Sequence, residues 1–194
     1  MSINIAVFAS GKGSNAEKII EYFNNVPNKK NIRVNLIVSN KAGAGVFDIA
    51  KKNNIPTILL DKEKFFRGDA YIVELKAAQV DFIVLAGFLW KVPLALVGAY
   101  SNKILNIHPA LLPKYGGKGM YGNFVHEAVI AARDQESGIT IHVVDELYDH
   151  GHHIFQAICP VLPDDTPETL ANRIHKLEHA SYPRVIEEFI GKMA

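Results

Sequence analysis

The sequence predicts an α/β chain: an open, mostly parallel, Rossmann-like sheet with helices on both faces. Three observations predict it. Short apolar runs alternate with segments of helical periodicity along the whole chain. The runs at residues 82–86 and 104–107 are almost wholly apolar, as strands covered on both faces must be. The first run ends in a glycine-rich turn that opens a helix, where backbone N–H groups are free to meet a ligand.

In chain order, residues 3–9 form a strand that ends in Ser10-Gly11-Lys12-Gly13-Ser14-Asn15. Ile19, Ile20 and Phe23 then recur at helical spacing up to a break expected at Pro27. Residues 32–39 read as the second strand, 46–52 as a short helix and 57–60 as the third strand. A helix follows at 69–79 with Asp69 near its N-terminus, then the strands at 82–86 and 104–107. Such a βαβαβ series folds by default into parallel strands with right-handed crossovers. Residues 114–123 hold four glycines and read as a mobile loop, with Gly116-Gly117-Lys118-Gly119 as a flexible lid. Beyond it come a helix at 124–132, strands at 139–144 and 153–161 around a polar loop at 145–152, and a long helix at 167–190 bent at Pro183. With no repeat, low-complexity tract or linker, residues 1–194 read as one domain, divided in function, not in fold, near residue 103.

Composition narrows the classes. Hydrophobic residues make up 48% and charged residues 21% of 194, ordinary for a globular protein with a substantial core. A net charge of +1 without a basic block gives no reason for a nucleic-acid partner. The single cysteine, Cys159, excludes an internal disulfide and fits a reducing cytoplasm; its apolar setting at 154–162 reads as a buried thiol. No basic segment precedes the first strand, and no apolar run approaches the ~18 residues of a membrane span. A cytoplasmic monomer or homodimer acting on small molecules is the expectation.

The chemistry-bearing segment is Asn106-Ile107-His108-Pro109-Ala110-Leu111-Leu112-Pro113, at the end of an apolar strand. Strand side chains alternate with a period of two, so Asn106 and His108 point the same way. A carboxamide can donate to a developing oxyanion and an imidazole can carry a proton, a pair suited to attack on a carbonyl or formyl carbon. Without further context, the same residues could merely cap a turn.

The first turn formally matches G-x-G-x-x-A, but a dinucleotide site expects an acidic residue after the second strand, where Ser39-Asn40-Lys41 stands instead. The glycine spacing is also wrong for a Walker loop. A monophosphate held by Gly13, Ser14 and Asn15 fits best; the plainer reading is Ser14 or Asn15 capping the helix. His175-Lys176-Leu177-Glu178-His179 matches the inverted zinc-peptidase signature, yet no distant ligand group accompanies it. Glu178 taking sugar hydroxyls is the better reading, against a solvated helix face. His150, His152 and His153 crowd one loop beside Asp149 without a defined coordination geometry; Asp149 could orient a distant histidine.

Taken together, Ser10-Gly11-x-Gly13-Ser14-Asn15, Leu85-Ala86-Gly87-Phe88, the Asn106-to-Lys114 segment, His142, Asp149 and Glu178-His179-Ala180-x-Tyr182-Pro183 resemble the phosphoribosylglycinamide formyltransferases over nearly the whole chain. The resemblance implies transfer of a formyl group from 10-formyltetrahydrofolate to the amine of 5-phosphoribosylglycinamide in purine biosynthesis, with no metal and no covalent enzyme intermediate. It implies Asn106, His108 and Asp149 as the catalytic three, with Asp149 raising the pKa of His108 and keeping it charged. Gly13, Ser14 and Asn15 would take the ribotide phosphate and Glu178 its ribose. The folate would lie against Arg67, Leu89, Trp90, Lys91, Val92 and Asn106 and the loop at 145–149. Residues 1–103 would then be the phosphate- and nucleotide-binding half, and 104–194 the catalytic and folate-binding half.

Two departures stand out. Trp90, followed by Lys91, occupies a position where better-known members carry arginine, and Arg67 lies one residue off another arginine position near the folate tail. Related enzymes set the alternatives. A methionyl-tRNA formyltransferase should carry a further C-terminal domain. A formyltetrahydrofolate hydrolase would use the same Asn, His and Asp with water and usually carries an N-terminal regulatory domain. A non-catalytic nucleotide-binding module would need only the first turn.

Overall fold

The structure, a computed structural model, describes residues 2–25 and 31–193. One seven-stranded sheet runs in the order β3-β2-β1-β4-β5-β6-β7. Its strands are β1 (Ile3–Phe8), β2 (Ile32–Ser39), β3 (Thr57–Leu59), β4 (Phe82–Leu85), β5 (Ile104–His108), β6 (Glu136–Val143) and β7 (His153–Pro160). The first five pair in parallel, while β6 and β7 add as an antiparallel edge. The helices are α1 (Ser14–Asn25), α2 (Val46–Lys52), α3 (Lys62–Phe66), α4 (Ala70–Ala77), α5 (Leu94–Ala99), α6 (Asn123–Ala131) and α7 (Pro167–Met193).

The apolar runs are strands because both of their faces are covered. Val7 and Val84 pack into one buried cluster with Ile19, Ile174 and Tyr182 from the helices, while Phe8 and Ile83 pack into a second with Phe65, Leu75 and Leu96. The expected α/β architecture is therefore present. The break expected at Pro27 lies outside the described residues. The helix α7 continues through Pro183, whose ring is buried where its missing N–H costs one helical hydrogen bond. Cys159 is 5% exposed, and burial pushes its thiol pKa up.

Sheet order creates the site. The chain builds outward from β1 through β2 to β3, then returns to place β4 on the other side of β1. At that reversal the loops leaving neighbouring strands diverge and open a crevice at the carboxyl ends. The turn after β1, the segment after β4 and the end of β5 all meet there.

Candidate active site

A cavity of about 640 Å³ lies at this reversal, lined by the first turn, residues 85–92, Asn106 to Pro109, the glycine loop, residues 144–149, and His175 and Glu178 of α7. A second cavity of about 400 Å³ is lined by Lys114, Tyr115 and residues 134–137 and contains neither Asn106 nor His108.

At one end is the first turn. Gly13 adopts φ +82°, and a Cβ there would meet the Val46 side chain at 2.8 Å, so no other residue closes this corner without strain. Ser14 and Asn15 open α1, presenting its unpaired N–H groups and positive dipole to the cavity. The Asn15 amide donates to Glu178 Oε2 at 2.9 Å across the crevice, while Asn15 Oδ1 is buried without a partner. Two residues 163 positions apart thus form one surface. Burial raises the Glu178 pKa; Asn15 and His175 oppose the rise. His175 and His179 stack at 6.3 Å on the same helix, and His175 lines the cavity.

At the other end, period-two alternation brings Asn106 and His108 to one side of β5, as expected. Across the antiparallel pair, Asn106 faces His142 of β6. The Asn106 Nδ2 group lies 3.1 Å from His142 Nε2 and 3.5 Å from Asp149 Oδ1. On its other side, His142 Nδ1 lies 3.2 Å from the Val143 carbonyl. His108 Nε2 donates to the Tyr115 carbonyl at 2.7 Å. The proton-exchanging nitrogen of His108 is therefore Nδ1, which stands 3.6 Å from Asp149 Oδ2. Asp149 also lies 3.6 Å from His142 and accepts a hydrogen bond from the Gly117 N–H at 3.0 Å. Its backbone sits at φ +52°, a conformation that non-glycine residues seldom adopt.

The electrostatics depart from one expectation. Burial, the largest influence, lowers the His108 pKa below its ordinary 6.5, and the upward pull of Asp149 and of Tyr115 does not cancel it. Burial thus favours the neutral form of His108 in the unliganded chain, against the expectation that Asp149 raises its pKa. For Asp149, burial pushes upward, but His142, His108 and the Gly117 N–H outweigh it and leave the carboxyl below its usual range.

The residues expected on the folate side divide. Leu89, Trp90, Lys91 and Val92 line the cavity, as do Leu147 and Tyr148 of the loop at 145–149. Trp90 rests on Phe65 and Phe66, with ring centroids 5.6 and 5.4 Å away, and Lys91 lies 5.5 Å above the Tyr148 ring. Arg67 is not brought to the cavity. It ends α3, is largely exposed and pairs with Glu63 at 3.4 Å.

Two residues that the sequence motifs contain, but for which the sequence suggests no role, also hold the site together. Ser10 accepts from the Leu89 N–H at 2.9 Å and donates to Asn40 at 2.6 Å, tying the first turn to the segment after β4. The fully buried Tyr182 hydroxyl reaches the carbonyls of Leu85 at 2.9 Å and Leu105 at 3.2 Å, which anchors α7 against the strands just before Ala86 and Asn106.

The family model described as formyl transferase matches residues 3–186. The chain belongs to the formyl transferase family. It is 43% identical over 189 residues to a protein of Vigna unguiculata named phosphoribosylglycinamide formyltransferase, chloroplastic, a match covering 94% of this chain and 59% of that one. It thus spans about three fifths of the length of that plant relative. The trifunctional purine biosynthetic protein adenosine-3 of Drosophila pseudoobscura pseudoobscura is 39% identical over 94% of this chain and 13% of its own. Among solved structures, phosphoribosylglycinamide formyltransferase from Bacillus halodurans superposes with a TM-score of 0.87 at 37% identity, covering 98% of this chain and 97% of that one. Glycinamide ribonucleotide transformylase 1 from Geobacillus kaustophilus gives 0.88 at 35% identity over 97% and 98%. A seven-stranded, mostly parallel α/β sheet is thus the family's fold in this formyl transferase chain as well.

Proposed function

We propose that this formyl transferase moves a formyl group from 10-formyltetrahydrofolate to the amine of 5-phosphoribosylglycinamide, a step of purine biosynthesis. One observation carries the reading: a single cavity joins an anion-binding turn and the sugar-side Glu178 to Asn106, His108 and Asp149. A ribotide can then be anchored by its phosphate while its amine reaches the reacting groups.

In this reading Gly13, Ser14 and Asn15 hold the phosphate, and Glu178 takes ribose hydroxyls in exchange for part of its contact with Asn15. Folate binds as co-substrate against residues 89–92, with Trp90 supplying apolar area. The amine attacks the formyl carbon, and its oxygen becomes negative. Asn106 exchanges its long 3.5 Å contact with Asp149 for that oxygen. Neutral His108 accepts the amine proton at Nδ1, facing Asp149, whose charge stabilises the imidazolium as it forms. The tetrahedral intermediate then collapses, the bond from the formyl carbon to folate N10 breaks, and His108 passes the amine proton to N10, leaving formylated ribotide and tetrahydrofolate. Residues 1–103 supply the phosphate end and 104–194 the reacting groups, with Glu178 reaching back across the division. The buried lone thiol fits a reducing, cytoplasmic setting. Among the described residues no helix is long and apolar enough to cross a membrane.

The test is folate product formation with and without glycinamide ribotide. Turnover that requires the ribotide and yields its formylated form is expected. Ribotide-independent release of formate would make the chain a hydrolase, and no turnover with either would leave a binding module.

A further inference from the structure

One imidazole inside the cavity has nothing to bind. His126, the fourth residue of α6, is 2% exposed and lines the cavity that also holds His108 and His175. Its Nδ1 is buried without a partner, and its side chain makes no hydrogen bond among the described residues. The other buried residues of α6 are Val125 and Val129. A leucine at 126 would suit that face and would spare the cost of an unsatisfied polar nitrogen. A buried polar group that weakens the fold calls for a partner that arrives later.

Its position identifies the partner. The same cavity holds His175, one turn before Glu178, at the proposed sugar and phosphate end, and His108 at the proposed reacting end, and both histidines are near enough to act on the His126 ring. A ribotide stretched between those ends carries an amide link between its ribose and its terminal amine. That link offers one N–H and one carbonyl. Burial first, then His175 and His108, lower the His126 pKa to about 4, so the ring is neutral at pH 7, with one donor and one acceptor. A neutral ring complements an amide and is a poor phosphate ligand.

Resting on the function proposed above, we infer that His126 binds the amide of the glycinamide arm and aims the terminal amine at His108. It is a substrate-positioning residue of the cavity that joins the phosphate anchor to the catalytic group.

Calorimetric titration with two probes tests this. Glycinamide ribotide carries the amide arm; ribose 5-phosphate shares the sugar and phosphate and lacks it. His126→Leu should weaken ribotide binding about tenfold, equivalent to about 1.4 kcal/mol, and change ribose 5-phosphate binding by less than about twofold. Its thermal midpoint should hold or rise, because an unpaired buried nitrogen has been removed. His126→Asn, which keeps a donor and an acceptor, should restore part of the ribotide affinity. Equal losses on both probes, or a loss accompanied by a lower midpoint, would make His126 a structural residue and overturn the inference. Unchanged ribotide affinity would overturn it as well. Wild-type protein that binds ribose 5-phosphate but shows no preference for the ribotide would overturn the functional reading, and this inference with it.

Discussion

At the end of the cavity proposed for the phosphate the side chains grip one another by short contacts, whereas at the end proposed for catalysis Asn106, His108 and His142, each anchored elsewhere, stand off from Asp149. Ser10 to Asn40, Ser10 to Leu89 and Asn15 to Glu178 measure 2.6, 2.9 and 2.9 Å. Asn106 to Asp149, His108 to Asp149 and His142 to Asp149 measure 3.5, 3.6 and 3.6 Å. A site that only recognises an anion gains from rigidity, since ordering is complete before the ligand arrives. A site that must bond to groups appearing during reaction needs donors not already saturated. The backbone shows the same contrast. The tight turn uses a glycine at φ +82°, which carries no strain, while Asp149 is a non-glycine residue at φ +52°.

The largest effect should come from breaking the loose end. Asp149→Asn keeps size and hydrogen bonding but removes charge, and the transfer rate should fall on the order of 100- to 1,000-fold with both substrate affinities nearly unchanged. Asp149 favours the imidazolium, so its loss lowers the His108 pKa further. The acid limb of the pH–rate profile, where Nδ1 becomes protonated and cannot accept, should move to lower pH. NMR titration of His108 in both proteins checks the sign; a limb that stays in place would separate Asp149 from the proton transfer.

Next comes the rigid end. Gly13→Ala forces a Cβ to within 2.8 Å of Val46 at a positive φ. Stability should fall by about 1–3 kcal/mol, and ribose 5-phosphate affinity by about tenfold or more. Denaturant melts and phosphate-probe titrations read the two, and folate affinity should change much less. A smaller loss is expected for Tyr182→Phe, which removes the hydroxyl between the Leu85 and Leu105 carbonyls. About 1–2 kcal/mol of stability should go, visible in urea unfolding. Arg67→Ala should do least. An exposed cation already paired with Glu63 and absent from the cavity lining should leave folate affinity within about twofold, even for polyglutamylated forms. A larger loss would mean that α3 moves toward the cavity when folate binds.

Much of this molecule was legible in one dimension. The strands at 82–86 and 104–107 were visible as apolar runs because double burial leaves no room for polar residues. The shared direction of Asn106 and His108 followed from the pleat alone, and α2 was read to the residue. The helices α3 and α5, with five and six residues, were not anticipated, being too short to establish a period. Nor was the reversed direction of β6 and β7, which no local pattern encodes because an apolar strand reads alike either way.

The sequence by itself determined the α/β class, the glycine turn, the polar pair ending β5, and hence the family of chemistry, because these depend on local backbone geometry and side-chain period. Only the tertiary structure decided which distant residues share the cavity. Glu178 meets Asn15, His142 meets Asn106, His126 lines the cavity with its Nδ1 unpartnered, and Arg67 stays outside. It also decided that the His108 pKa falls instead of rising, since the charge of Asp149 could be anticipated from the chain but the burial opposing it could not. Desolvation is a property of everything packed around a group, and that packing exists only once the chain has folded.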